Sequence, residues 1–251
     1  MGESDKGIWV IGYGSLIFKP LPRYQLKVNG YLRGFIRRFW QSSSDHRGTP
    51  ESPGRVVTLV SLDDLKRNDR FHDDLYMYEL RNRDFETGLL DESSEDTGKV
   101  QKVLKHVHDL VDEDLKVWGC AYYVAPEDVE EIKAYLDVRE QDGYTTHRVP
   151  FHIIDVPDVS GSGQEVLNSL PRNESGDLII ESLIYIGTLD NKSFVGPEEV
   201  EDTANVIRHS KGPSGLNSEY LLKLCDSVRH LDQQGRSRDF YLEKLAREVS
   251  K

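Results

Sequence analysis

Residues 8–16 read IWVIGYGSL, and the rest of the chain is interpreted from this stretch. Its first four residues are apolar and mostly β-favouring, which predicts a buried strand. Gly12 and Gly14 then flank Tyr13, and Ser15 follows. Because glycine accepts positive φ and lets a ligand approach closely, this loop can present backbone N–H groups to a carboxylate, a phosphate or a developing oxyanion. A strand followed by an ordinary turn fits these residues equally well.

The stretch is not a nucleotide-binding fingerprint. A dinucleotide-binding loop needs a third glycine and a helix directly after it. Here Pro20 and Pro22 follow within a few residues, and prolines so spaced do not continue a helix interior. The Gly-Lys-Ser/Thr sequence of a P-loop is also missing, so both classes of phosphate-binding loop are excluded.

The composition is that of an acidic protein with enough residues for a sizeable core. The chain has 251 residues and a formal net charge of -12, which fits one large domain or two small ones. The acidic balance argues against a nucleic acid partner, but a small anion responds to local charge. No apolar run reaches the ~20 residues that span a bilayer, and residues 1–6 lack the features of a signal peptide. We therefore expect a cytoplasmic protein with no membrane partner.

The cysteines and histidines favour neither a disulfide nor a metal site. Cys120 and Cys225 both lie in apolar contexts, so we expect two buried free thiols. No cysteine cluster suggests zinc, and the histidines are scattered along the chain. No metal and no cofactor are expected.

The remaining chain predicts strands and helices with one long interruption. Strands are expected at 8–11, 31–41, 55–61, 116–124, 144–156 and 178–188. Helices are expected from 126 to about 140, from 197 to 209, from 218 to 231 after an Asn217 cap, and from 238 to 249. Polar loops are expected at 42–55 and 157–176. The interleaved Arg33, Arg37 and Arg38 are expected either to meet an anion or to lie on a solvated strand face.

The segment at about 62–114 differs in character from its surroundings. It is acidic and polar, and the run at 91–96 (DESSED) is its most disorder-like part. We interpret the segment as an insertion, partly helical and partly mobile, which is either a lid or tolerated bulk. Because no linker divides the chain, residues 1–251 are treated as one α+β domain.

A lone carboxylate is the best candidate for chemistry. Glu140 lies at the end of a predicted helix, where an acid opposes the negative end of the helix dipole at a cost of ~0.3–1 kcal/mol. This placement would raise the pKa of Glu140 and suit it to general acid/base work. The alternative is a surface ion pair with a nearby basic residue. The Ser15 loop lacks the G-x-S-x-G pattern of a hydrolase, so nothing points to a serine nucleophile.

Several blocks together resemble the ChaC-type, glutathione-specific γ-glutamylcyclotransferases. Their order and approximate spacing match over most of the chain, except at about 62–114 and about 157–177. The blocks are GYGSL (12–16), FWQ (39–41), DHRGTPE (45–51), PGR (53–55), YLDVRE (135–140), GY (143–144), YIGT (185–188), GP (196–197), GPSG (212–215) with Asn217, and EYL (219–221).

The resemblance implies a single α+β domain with a small, partly closed, mixed β-barrel packed with helices. It implies cleavage of glutathione into 5-oxoproline and cysteinylglycine, without metal or cofactor. By the family pattern, Glu140 is the catalytic acid/base. The loop that holds the γ-glutamyl end consists of Gly12, Tyr13, Gly14, Ser15 and Leu16.

Four further residues are expected at the substrate site. Arg47 and Arg55 either orient substrate carboxylates or brace the 42–55 loop. Tyr144 and Tyr220 offer hydroxyl groups, with core packing as the alternative. We expect glutathione as the small-molecule partner, and a monomer or weak homodimer. Two alternative functions stay open: a binding or sensor protein for γ-glutamyl compounds, and cyclotransfer on other γ-glutamyl amines.

Overall fold

An α+β fold on a five-stranded barrel occupies the part of the chain that the computed structural model describes. The described residues are 7–81, 107–140, 143–156 and 161–251. The acidic run at 91–96 lies outside them. In chain order the strands are β1 (Ile8–Gly12), β2 (Leu26–Arg33), β3 (Phe35–Ser43), β4 (Gly54–Ser61), β5 (Lys116–Val124), β6 (Thr145–Asp155), β7 (Leu178–Ile186), β8 (Lys211–Gly212) and β9 (Gly215–Leu216).

The barrel is closed and mixed. Its strands follow the order β1-β5-β2-β6-β7. Four of the pairings are antiparallel, and β7 returns to β1 in parallel at Val10 and Leu183. Trp9, Val10 and Ile11 are buried in succession, as is usual for a strand covered on both faces. The expected small mixed barrel is therefore confirmed, except that its ring of strands is closed rather than partly closed.

Seven α-helices pack around the sheets in the described part of the chain. They are α1 (Leu62–Arg67), α2 (His72–Leu75), α3 (Val129–Arg139), α4 (Ser162–Asn168), α5 (Val200–His209), α6 (Asn217–Arg229) and α7 (Phe240–Val249). None of these described helices has the length and apolar character needed to cross a membrane. Cys120 and Cys225 are free and buried, as expected.

The hairpin of β3 and β4 lies between two apolar clusters. Phe39, Val57 and Leu59 belong to the main core with the barrel. Trp40 and Val60 belong to a second cluster, which α1, α2 and residues 107–115 complete. Because strand side chains alternate between faces, one hairpin can serve both clusters. The described ends of the 62–114 segment are therefore helical and packed, while its role as lid or bulk stays a prediction.

The expected strand at 31–41 is wrong in one respect, because it is two strands. Gly34 adopts φ +73°, a conformation that L side chains rarely take, and the chain leaves β2 there to begin β3. The following arginines are not on a solvated face either. Arg37 and Arg38 are 1% and 0% exposed, and Arg38 pairs with Asp74 at 2.6 Å and Glu79 at 3.0 Å. This buried network joins β3 to the helical segment after β4.

The predicted loop at 157–176 contains α4, whose helical residues were not expected. The segment is rich in Gly and Ser, and these residues lower helix propensity without forbidding a two-turn helix. Residues 157–160 of this loop lie outside the described residues.

Candidate active site

Two adjoining compartments, which share four lining residues, lie where β1 and α3 end; the smaller is called the inner compartment and the larger the outer compartment. The inner compartment has a volume of about 50 Å³, and its lining residues are Ile11, Tyr13, Gly14, Ser15, Leu16, Val57, Glu140, Tyr144, Tyr185 and Tyr220. The outer compartment has a volume of about 260 Å³, and its lining residues are Ser15, Lys19, Ser43, Asp45, His46, Arg47, Val56, Tyr135, Arg139, Glu140, Tyr144, Ser214 and Tyr220. Ser15, Glu140, Tyr144 and Tyr220 line both, so they mark the junction.

The glycine loop after β1 forms one wall of the inner compartment. Past Gly14 the chain enters a short 3₁₀-helix (Ser15–Ile17), whose first N–H groups have no partner within the helix. Tyr13 is buried, and its hydroxyl donates to the carbonyl oxygen of Tyr185 at 2.8 Å. The loop therefore combines a fixed tyrosine with backbone donors beside the cavity.

Gly12 does not line either compartment. It is paired with Cys120 in the barrel, and a Cβ at Gly12 would lie 2.6 Å from the Leu16 Cβ and 3.3 Å from the Cys120 Sγ. Its lack of a side chain lets the 3₁₀-helix pack closely against β1. The remaining predicted loop residues, Tyr13 through Leu16, all line the inner compartment.

Glu140 follows α3 directly and faces the junction of the compartments. Its N–H donates to the carbonyl oxygen of Leu136 at 2.8 Å, which fixes the backbone at the helix end. Burial raises the pKa of Glu140, Asp45 raises it further, and Arg139 and His46 oppose this shift. The direction is the one expected from the sequence, but its main cause is burial rather than the helix dipole. A carboxyl group with a raised pKa is suited to accepting and returning a proton.

Arg139 links Glu140 to the glycine loop, a contact that the sequence did not reveal. Its Nη2 donates to the Ser15 Oγ at 2.6 Å, and its Nε lies 3.4 Å from the Glu140 Oε1. The side chains of Arg139 and Glu140 are 16% and 21% exposed, so the ion pair belongs to the cavity rather than to an open surface. The only sequence signal for a role of Arg139 was its place in the block YLDVRE (135–140).

Both predicted tyrosines lie at the junction. The Tyr144 hydroxyl donates to the carbonyl oxygen of Val57 at 2.8 Å, which fixes its ring against β4. Tyr220 is 5% exposed, and the guanidinium of Arg47 lies 5.2 Å from its ring centroid. Burial and the nearby Glu140 raise the pKa of Tyr220, so its hydroxyl stays protonated. Both side chains therefore pack firmly and still form the cavity wall.

The two predicted arginines lie in different places, and only Arg47 lines the cavity. Arg47 lines the outer compartment, and its Nη1 donates to the carbonyl oxygen of Leu216 at 2.9 Å. Arg55 lines neither compartment. Its Nε and Nη2 each donate to Glu198 at 2.8 Å, a bidentate pair that braces the end of the 42–55 loop. The contacts of Arg55 thus favour the bracing alternative.

The expected helix cap at Asn217 is wrong. The helix α6 begins at this residue, but the Asn217 side chain is used on β4 instead. Its Oδ1 accepts from the Arg55 N–H at 2.7 Å, and its Nδ2 donates to the Arg55 carbonyl oxygen at 2.7 Å. Asn217 is fully buried, so its amide must find partners, and the backbone of Arg55 supplies them.

We predict that Glu198→Gln lowers the free energy of unfolding by about 1–3 kcal/mol, because it breaks a partly buried, charge-assisted bidentate pair. Glu199→Gln is the matched control, since its side chain is exposed one residue later. Urea unfolding of the two variants measures the difference. Equal stability of both variants would show that the Arg55 pair does not brace the fold.

Other residues of the cavity were not singled out from the sequence. Asp45, His46, Tyr135, Tyr185 and Ser214 fall inside the matching blocks, which was the only signal for them. Lys19 falls outside every block. Among the described residues, no group of three or more His, Cys, Asp or Glu side chains is arranged to hold a metal ion.

Comparisons with known proteins agree on one family. The family model described as ChaC-like protein matches residues 8–251. A glutathione-specific gamma-glutamylcyclotransferase of Saccharomyces cerevisiae is 40% identical over 255 residues, which covers 100% of this chain and 99% of that protein. A protein of the same name from Schizosaccharomyces pombe is 29% identical over 247 residues, covering 98% of this chain and 94% of the other.

A solved structure extends the agreement to three dimensions. The crystal structure of the selenomethionine-labelled yeast cyclotransferase specific to glutathione matches with a TM-score of 0.79 at 40% identity. The match covers 98% of this chain and 96% of that one. Because the family model matches residues 8–251 and the yeast relative is 40% identical over the whole chain, the chain belongs to the ChaC-like protein family.

Proposed function

We propose that the protein is a glutathione-specific γ-glutamylcyclotransferase, which converts glutathione into 5-oxoproline and cysteinylglycine. The observation that carries the proposal is the Glu140 carboxyl group, with its raised pKa, at the junction of the two compartments. The names of the relatives in two yeasts support the choice of substrate.

The reaction closes a ring within the substrate. The α-amino nitrogen attacks the γ-carbonyl carbon, the new C–N bond completes a five-membered lactam, and the bond to the cysteinyl nitrogen breaks. The nucleophile is already tethered, so the site needs only to select a folded conformation of the γ-glutamyl group. The inner compartment is the smaller of the two and is walled by Tyr13, Tyr144 and Tyr220, which suits it to selecting such a conformation.

Glu140 moves the protons. The attacking nitrogen enters as an ammonium and leaves as a lactam N–H, so it loses two protons. The departing amide nitrogen becomes the ammonium of cysteinylglycine and gains two, so the reaction needs no net proton. A single carboxylate that accepts from one nitrogen and donates to the other serves as base and then as acid, typically worth ~10²–10⁴ in rate.

The glycine loop stabilises the charge that develops on the carbonyl oxygen. The backbone N–H groups of Gly14, Ser15 and Leu16 are the proposed donors, at ~3 kcal/mol for each donor that bonds the oxyanion. Arg139 holds this loop through the Ser15 hydroxyl while it pairs with Glu140. Arg139 thereby fixes the position of the Glu140 carboxylate relative to the oxyanion donors of the loop.

We also propose that the protein acts in the cytoplasm as a monomer or weak homodimer. The two buried free thiols suit a reducing compartment. Size-exclusion chromatography with light scattering tests the oligomeric state directly, and a stable higher oligomer at micromolar concentration would contradict the proposal.

The function is tested by incubating the purified protein with reduced glutathione, with and without EDTA, and following both products by mass spectrometry. Equimolar 5-oxoproline and cysteinylglycine, unaffected by EDTA, are expected. If glutathione stays intact but protects the protein against heat, the chain is a binding protein. A panel of other γ-glutamyl amines tests specificity. Faster turnover of one of them would identify that amine, rather than glutathione, as the preferred substrate.

We predict that Gly14→Ala lowers kcat/KM for glutathione by about 10- to 10²-fold. The new Cβ would lie 2.9 Å from the Val57 Cγ2 and 3.1 Å from the Tyr220 hydroxyl, so the loop must shift, and sub-ångström errors in a catalytic geometry are costly. Steady-state kinetics measure the effect, and thermal unfolding of the variant controls for loss of fold. Unchanged kcat and KM would remove the loop from the site.

A further inference from the structure

Three cationic side chains line the outer compartment, and two of them are already engaged. Arg139 bonds Ser15 and pairs with Glu140. Arg47 donates to the Leu216 carbonyl oxygen and lies over the Tyr220 ring. Lys19 differs, because its ammonium has neither an ion pair nor a hydrogen bond within residues 7–81, 107–140, 143–156 and 161–251.

The surroundings of Lys19 are themselves cationic. Partial burial and the positive charges of Arg47, Arg139 and Lys223 lower the pKa of Lys19, and Glu219 opposes them only in part. Asp45 and Glu140 also line the outer compartment, but the Glu140 Oε1 lies 3.4 Å from Arg139 and the Asp45 Oδ2 lies 3.6 Å from the His46 Nε2. The region beside Lys19 and Arg47 is therefore suited to a negatively charged group of a ligand, despite the acidic balance of the whole chain.

Lys19 is also held in register with the glycine loop. Its backbone N–H donates to the Ser15 carbonyl oxygen at 2.7 Å, directly after the 3₁₀-helix. The start of the Lys19 side chain is therefore fixed relative to the loop that bounds the inner compartment. A cation fixed in this position can bind a second charge on the substrate that lies at a set distance from the reacting group.

Glutathione carries two carboxylates, one at each end. With the γ-carbonyl group at Glu140, the small inner compartment takes the γ-glutamyl end, and the cysteinylglycine portion extends into the larger outer compartment. We propose that Lys19 binds the glycyl carboxylate of glutathione and so makes a free C-terminal carboxylate a determinant of specificity. This inference rests on the proposed function of the cavity.

The test compares Lys19→Met with the wild type on glutathione and on glutathione whose glycyl carboxylate is replaced by a carboxamide. We expect Lys19→Met to raise KM for glutathione by about five- to tenfold, with kcat within about twofold, because a charge-assisted contact on a partly exposed cation is lost. The wild type should show a similar rise in KM on the carboxamide. Lys19→Met should then add nothing further on that substrate, since the partner of the ammonium is already absent.

Two further variants serve as controls. Lys19→Arg keeps the charge and should stay within about twofold of the wild type. Lys133→Met makes the same change on α3, at a lysine that lines neither compartment and pairs with Glu130 at 3.6 Å, so its KM should also stay within about twofold. Equal effects of Lys19→Met on acid and amide, or equal effects of Lys19→Met and Lys133→Met, would overturn the inference.

Failure of the proposed function is recognised separately. If the wild type does not turn over glutathione, the same variants are compared by the protection that glutathione and its carboxamide give against thermal unfolding. Greater protection by the acid than by the amide, lost in Lys19→Met, would still support recognition of the carboxylate. Equal protection by both compounds would refute it.

Discussion

Glu140→Gln is expected to lower kcat for glutathione by about 10²- to 10⁴-fold and to leave KM within a few-fold of the wild type. Glutamine keeps the shape of the side chain, but its amide cannot accept a proton from the α-ammonium or return one to the departing nitrogen. Steady-state kinetics with quantified 5-oxoproline provide the measurement. A folded Glu140→Gln protein with normal turnover would refute the assignment of the acid/base.

The control for this variant is Glu130→Gln, the same change on an exposed residue of α3. It should leave kcat unaltered, which separates loss of the proton carrier from loss of one negative charge on the helix. Thermal unfolding of both variants verifies the fold. A comparable loss of kcat in Glu130→Gln would assign the effect to the helix rather than to the Glu140 carboxyl group.

The pH dependence of the wild type provides a second check on Glu140. Burial raises the pKa of this carboxyl group above the ordinary value of about 4.3. The base must be ionised, so kcat/KM should fall as the pH drops through the raised pKa, at a higher pH than for an exposed glutamate. An acid limb at or below the ordinary value would show that Glu140 is not the group that titrates.

Arg139→Met is expected to reduce kcat/KM by about 10²-fold, the second-largest effect. The change removes the charge-assisted bond to Ser15 and the partner of the Glu140 carboxylate, and losses of this kind are worth about 2–3 kcal/mol. The positive charge of Arg139 lowers the pKa of Glu140, so its removal raises that pKa further. The acid limb of kcat/KM should therefore move to higher pH in Arg139→Met.

Arg139→Lys distinguishes the two contributions of this positioning residue. Lysine restores the charge but not the planar fork, so the acid limb should return toward the wild-type pH while part of the loss in kcat remains. If Arg139→Met leaves both the acid limb and kcat unchanged, Arg139 has no part in holding Glu140 and the loop. A loss that lysine fully restores would assign the whole effect to charge.

Local patterns predicted many of the elements because their causes are local. The apolar run at 8–11 became β1, the strand at 116–124 has the predicted bounds, and the amphipathic C-terminal segment is α7. Pro126 and Gly143 bracket the helical segment that ends at Glu140. The break at Gly34 was missed because an isolated glycine in a strand pattern signals either a bulge or a change of sheet.

The residues of the candidate site were likewise predicted only in part. The blocks of the family resemblance contain Glu140, Arg47, both tyrosines and most of the other residues of the cavity, so sequence alone brought these residues into one hypothesis. It could not separate Arg47 from Arg55, since both lie in matching blocks. Only the fold shows that Arg55 is bound by Glu198, which is 143 residues away along the chain.

The sequence by itself determined the β-strand and glycine loop at the start and the helix that ends at Glu140, because backbone propensity and apolar periodicity act over a few residues. It also indicated the family, through the resemblance of its blocks rather than through any periodicity. The tertiary structure alone decided the burial that raises the pKa of Glu140, the pairing of Arg139 with Ser15, and the cationic surroundings of Lys19. These properties depend on distances between distant segments, and a charge responds to what surrounds it in space rather than to its neighbours in the chain.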